Sequence, residues 1–252
     1  IMKILEYIVL IALAGGLIFG VIYGCIRISR GFKTSFVDRR DLVENLPEDE
    51  NGVFQLSNDV FLDADEAKSS FNSLHDTYST LYTNGKPKPV LFSEVMSYLD
   101  ISGIYCPFTF EANVNVHMND VLIPVTMCHE LSHLSGYMRE DEANFIAFLA
   151  CLQSDDPEFR YSGVYLASVH AMNALLTVDS DLWNQADALK SDALRRDIRS
   201  NNAYWKQYET PVSEVSDRVN DAYLKANGQE NGLRSYGRMV DLLLAYYRDE
   251  LQ

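Results

Sequence analysis

The clearest chemistry in this sequence lies in five residues, His129-Glu130-Leu131-Ser132-His133. On an α-helix, positions four apart share a face, so both imidazoles can reach one metal ion. Glu130 stands one step from His129, beside that ion, where its carboxylate can take a proton from a water. Zinc would lower the pKa of such a water towards ~7 and make hydroxide available at neutral pH. The run from Val121 to Met127 carries no charge, so the helix is expected to be buried. Buried histidines and a buried glutamate need partners, and a metal supplies them. The plain structural alternative is a pair of helical histidines bonded to carbonyl groups.

A catalytic zinc takes three protein ligands and keeps one position open. Gly136 follows His133 by three residues and is expected to adopt a left-handed conformation that ends the helix and turns the chain. Arg139-Glu140-Asp141-Glu142-Ala143-Asn144 then opens a second helix. Glu140 and Asn144 share a face, so Glu140 is the candidate third ligand and Asn144 a candidate hydrogen-bond partner for a ligand imidazole. Glu142 lies about 200° round the helix from Glu140 and is the alternate ligand. Matching of acidic residues to the helix dipole is the bland reading of this cluster.

Substrate charge developing in a transition state needs a donor, and Tyr161, His170 and Tyr236 are candidates. Residues 109–116 alternate partly and sit just upstream of the motif. Glu111, Asn113 and Asn115 therefore mark a strand that either receives substrate backbone or is a plain structural hairpin. Cys128 and Cys151 read as buried free thiols. A Cys128–Cys106 or Cys128–Cys151 disulfide stays open.

These residues need elements to hold them. Asp63 or Asp65 is expected to cap a helix running to about Tyr82, and Ser93 a short one to Leu99. Residues 104–123 read as strands turning at Asn119-Asp120. Asp156-Pro157, Asp179 or Ser180, and Thr210-Pro211 are helix starts, the second helix reaching about Arg199. Residues 236–250 read as a last amphipathic helix. The expected class is α+β and mostly α, with a small β-hairpin or sheet. The expected division is a transmembrane helix at 1–30, a linker at 31–60 and the site-bearing domain at 61–252.

The 252 residues carry 21 basic and 36 acidic side chains, a net charge of −15. Six basic and two acidic residues in the first 40 give that part +4 and leave −19 for the rest. So acidic a body argues against nucleic acid as a partner. Tyr7 to Ile26 is a run of 20 residues without a charge, enough to span ~30 Å of hydrocarbon as a helix. Gly16, Gly20 and Gly24 share one face of it, which would let a partner membrane helix approach closely. Five basic residues follow the run before position 41, which by the local charge rule places the body in the cytoplasm.

The Glu140–Asn144 pattern resembles the third-ligand helix of gluzincin metallopeptidases, in whose membrane-embedded members the leading Glu binds zinc and the last residue supports a histidine. More closely, the chain resembles a bacterial membrane family labelled domain of unknown function 3810. The resemblance rests on Ser102–Asn113, Cys128–His133 with Gly136, Glu140–Cys151, Phe159–Gly163, Tyr223–Gln229 and Ser235–Gly237. It implies several N-terminal membrane helices, where this sequence shows one, so residues are missing upstream or this member is shorter. It also implies an extracytoplasmic body, against the local charge rule. The resulting expectation is a zincin-like, membrane-anchored zinc metallopeptidase acting on a peptide or protein. A catalytically silent membrane-tethered assembly subunit is the alternative, and a hydrolase of non-peptide amides a third.

Overall fold

The structure, a computed structural model, describes residues 46–226 and 238–247. The uncharged run at 7–26, with Gly16, Gly20 and Gly24, lies outside the described residues, as does Tyr236. Among the described residues no helix is long and apolar enough to cross a membrane.

Nine helices and three short strands are described, and the helices dominate. They are α1 (Val60–Ser73), α2 (Ser93–Tyr98), α3 (Ile123–Leu134), α4 (Glu140–Gln153), α5 (Pro157–Val178), α6 (Ser180–Ala188), α7 (Asp192–Lys206), α8 (Pro211–Ala226) and α9 (Met239–Tyr247). The strands are β1 (Pro87–Pro89), β2 (Gly103–Cys106) and β3 (Glu111–Val114). This agrees with an α+β, mostly α class.

β3 lies between the other two strands, parallel to β1 and antiparallel to β2. The hairpin therefore turns at 107–110, where Phe110 takes φ +53°, rather than at Asn119-Asp120, which opens a 3₁₀ turn. With both neighbours in place, β3 has no free edge. Glu111, Asn113 and Asn115 consequently cannot form the substrate strand: Glu111 pairs with Lys88, Asn113 Nδ2 donates to the Ile104 carbonyl, and Asn115 Nδ2 donates to Ser97 Oγ.

The helix starts follow local side-chain chemistry. Asp156 accepts from the Glu158 amide at 2.8 Å, and Asp179 from those of Asp181 and Leu182, as capping predicts. α1 begins earlier than expected because Asp59 is its cap, and the helix expected from residue 180 to 199 breaks in two at Ser191, which caps α7.

The core sits where α3 and α4 cross. Every residue of α4 from Ala143 to Cys151 is buried, so this helix is enclosed on all faces. α1, α5 and α9 pack round it, and the sheet covers α3 from the side of β3 and β2. Residues 46–59, expected as linker, are strapped onto this body: Phe54 is buried and its amide donates to Asp197, while the Leu56 and Ser57 amides donate to Asp120 and Glu158.

Candidate metal centre

α3 holds the histidines because its apolar sequence buries it almost completely. Its end is fixed by Gly136, at φ +95°. The Gly136 amide donates to the His133 carbonyl and the Tyr137 amide to that of Ser132, at 2.9 and 3.0 Å. These are the two bonds that close a helix on a left-handed residue. The turn brings the Tyr137 carbonyl back to 2.8 Å from His133 Nδ1. A carbonyl only accepts, so Nδ1 carries a proton, and Nε2 is the nitrogen that would serve a cation once its own proton is displaced.

The next helix delivers the carboxylate. Glu140 Oε2 lies 3.2 Å from His129 Nε2 and 3.8 Å from His133 Nε2. Glu142 turns away, 3.6 Å from Arg139, as its position round the helix requires. Glu130 and the two histidines also offer ligand atoms that all lie within 4.8 Å of one another. Both carboxylates thus border the same histidine pair, but in different settings. Burial alone would raise the Glu140 carboxyl; the imidazoles outweigh it and hold the group well below the usual carboxylate range. Burial would lower His133, yet Glu140, Glu130 and the Tyr137 carbonyl raise it to about 9. Glu130 is 3% exposed, and burial pushes it up to about 7 against the pull of both histidines.

The donor set fits a cation. Ligands round a tetrahedral zinc at ~2.0–2.1 Å are ~3.3 Å apart, close to the 3.2 and 3.8 Å observed. Glu130 Oε2 is buried without a hydrogen-bond partner, which leaves it available to accept a proton.

The other candidates divide. His170, half-buried on α5, is held down to about 4 by burial and by the charge of His129, so it is a neutral imidazole at neutral pH. Tyr161 does not serve as a donor there. It is buried with Phe54, Val121 and Tyr165 in a second apolar cluster, and its hydroxyl donates to Asp197. Asn144 is buried one turn beyond Glu140 and bonds to neither histidine; the Tyr137 carbonyl takes the supporting role for His133. Cys106, Cys128 and Cys151 are free thiols, the last two with sulfurs 3.9 Å apart.

Two neighbours of the site went unpredicted. The Tyr137 carbonyl is invisible to side-chain reasoning. Gly103 is the other: a Cβ there would lie 2.8 Å from both Cγ and Cδ of Glu130. Its pairing with the motif, 27 positions away in sequence, has no local signal.

Comparison with curated proteins and with solved structures finds no match. A family model described as Protein of unknown function (DUF3810) matches residues 10–244, and the chain belongs to that family.

Proposed function

We propose that this protein is a zinc-dependent metallopeptidase of zincin type, anchored to a membrane by Tyr7–Ile26, with an extracytoplasmic body. The observation that carries the reading is the convergence of His129 Nε2 and His133 Nε2 on Glu140 Oε2, with an unpartnered Glu130 carboxylate oxygen beside them.

His129, His133 and Glu140 would hold the ion. Zinc, when bound, supplies Lewis acidity that polarises a carbonyl and acidifies water. Glu130 Oε2 accepts the proton released as water attacks and returns it to the departing amine, a task suited to a carboxyl raised to about 7. His170 donates a hydrogen bond to the oxyanion that develops on the substrate. Substrate backbone is received by the outer edge of β2. The Asn115 amide donates to the Ser102 carbonyl at 2.8 Å, and in an antiparallel ladder such bonded pairs alternate with unbonded ones. Gly103, next to that bonded pair, therefore turns its amide and carbonyl away from β3, towards the side where an extended peptide could pair.

The experiment is metal analysis combined with a quenched-fluorescent peptide library. Native protein should carry about one zinc per chain. Glu130→Gln should keep the zinc and lose cleavage, while His133→Ala should lose both. Native protein without metal, or full turnover by Glu130→Gln, would overturn the reading. Absence of cleavage with stoichiometric capture of another membrane protein would support a silent assembly subunit instead.

A further inference from the structure

We infer that Gly103 is a positioning residue for the proton-accepting carboxylate of Glu130; this rests on the metallopeptidase reading. Gly103 opens β2, opposite Val114 on β3, and among the described residues no strand pairs with the outer edge of β2. Glu130 rises from α3 directly against it. The carboxylate and the last side-chain carbon occupy the space that any side chain at 103 would need, since a Cβ would come within 2.8 Å of Cγ and Cδ. Real Cβ atoms do not approach so closely, so even one methyl group moves the carboxylate.

The contact does two things at once. It fixes the carboxylate from the sheet side, since Glu130 Oε2 has no hydrogen bond to hold it. It also places that carboxylate beside the first backbone amide and carbonyl that β2 offers to a peptide. Base and substrate backbone thus share one residue as their common wall. The three atoms nearest to a Cβ at 103 all belong to Glu130, so that side chain takes the displacement first and zinc affinity should change little.

The test is a pair of double-mutant cycles. Gly103→Ala should bind zinc within ~3-fold of wild type, while its kcat falls ~100-fold with little change in KM, the scale of a misplacement of about 1 Å. Glu130→Asp shortens the side chain by one methylene and leaves the methyl less to displace. In that background Gly103→Ala should change kcat by less than ~3-fold. The second cycle needs no turnover. Gly103→Ala should lower the thermal midpoint of the native protein and leave that of Glu130→Ala unchanged or raised. A kcat for Gly103→Ala within ~3-fold of wild type, or equal penalties in both backgrounds, would overturn the inference. If Glu130→Gln turns over normally, the metallopeptidase reading itself fails, while the thermal cycle still decides whether Gly103 and Glu130 are in contact.

Discussion

Two groups of carboxylates are withdrawn from water in this molecule, and they are neutralised by different means. In one, Glu130 and Glu140 lie against His129 and His133. In the other, Asp63, Asp120, Asp156 and Glu158 gather where α1 and the 46–59 strap meet the start of α5, and among the described residues no Lys or Arg pairs with any of them. The first group is matched by imidazoles, so Glu140 stays ionised despite its burial. The second has hydrogen bonds only: amides of Leu56, Ser57 and Glu158 donate to Asp120, Glu158 and Asp156. Asp63 is 1% exposed, and its Oδ2 has no partner. Burial, then the charges of Glu158 and Asp156, raise it to about 6. Burial is costly for a carboxylate in both places. One group meets that cost with cationic or cation-seeking neighbours; in the other, Asp63 takes up a proton at higher pH than a free carboxyl does.

The contrast is broken most violently by removing the carboxylate that faces the histidines. Glu140→Gln should weaken zinc binding by more than ~100-fold, beyond the 10–100-fold typical of losing a supporting partner, and turnover should vanish with the metal. Glu142→Gln, one residue pair away and turned towards Arg139, should stay within ~3-fold of wild type. Competition with a chromophoric chelator measures both, and equal losses would mean that the ligand has been misassigned. His170→Ala should come next. Its imidazole feels the charge of His129 and is not among the ligands, so if it is the oxyanion donor, zinc should be retained while kcat falls by ~10²–10³. With its pKa near 4, His170 stays neutral from pH 5 upward and should contribute no limb to the rate profile there. A limb that disappears in His170→Ala would contradict this.

Asp63 gives a smaller effect with a definite sign. The ordinary value for Asp63 is 3.8 and the folded value about 6. Between those values the folded chain holds a proton that the unfolded chain has released. The neutral form's contribution to stability is complete below about pH 4 and is lost as pH rises through 6, up to about 3 kcal/mol in all. Asp63→Asn imitates the protonated acid at every pH. Urea unfolding should therefore show it more stable than wild type by about 2 kcal/mol at pH 8 and equal to it at pH 4. A difference that does not depend on pH would show that Asp63 is ionised throughout. Zinc content should not change in either condition, because the two groups are independent.

The same contrast explains what could be read without coordinates. The histidine site is written in short-range spacing: the imidazoles stand four positions apart on α3, Gly136 follows three later and ends that helix, and Glu140 opens α4 four after it. Capping at Asp156 and Asp179 is equally local, and both were legible. The Asp63 cluster draws on four separate segments, and nothing within any one of them announces the others. Tyr161 failed as a site residue for that reason, since its partner Asp197 lies on another helix, 36 positions away. Sheet order was hidden as well. β1 is three residues long with two prolines, a composition that argues for turn or edge and says nothing of a parallel pairing with β3. Among the described residues β1 and β2 each have one strand neighbour, and they could be told from β3 only after both partners of β3 were in place.

The smallest predicted effect concerns Asn144, where sequence pattern and geometry disagree. By pattern it should support a ligand histidine, and losing such a partner weakens metal binding 10–100-fold. By geometry the support for His133 comes from the Tyr137 carbonyl, a group set by the Gly136 turn and untouched by any change at 144. Asn144→Ala should then leave zinc affinity within ~3-fold of wild type, and lose only the stability that accompanies truncating a buried side chain, about 1 kcal/mol. Gly136→Ala is the informative partner. Its φ of +95° is unfavourable for any residue with a side chain, so the substitution disturbs the turn that presents the carbonyl. It should weaken zinc binding more than Asn144→Ala does, although residue 136 meets His133 only through its backbone carbonyl. If the order is reversed, the histidines are oriented from α4, and the turn after α3 is only a helix end.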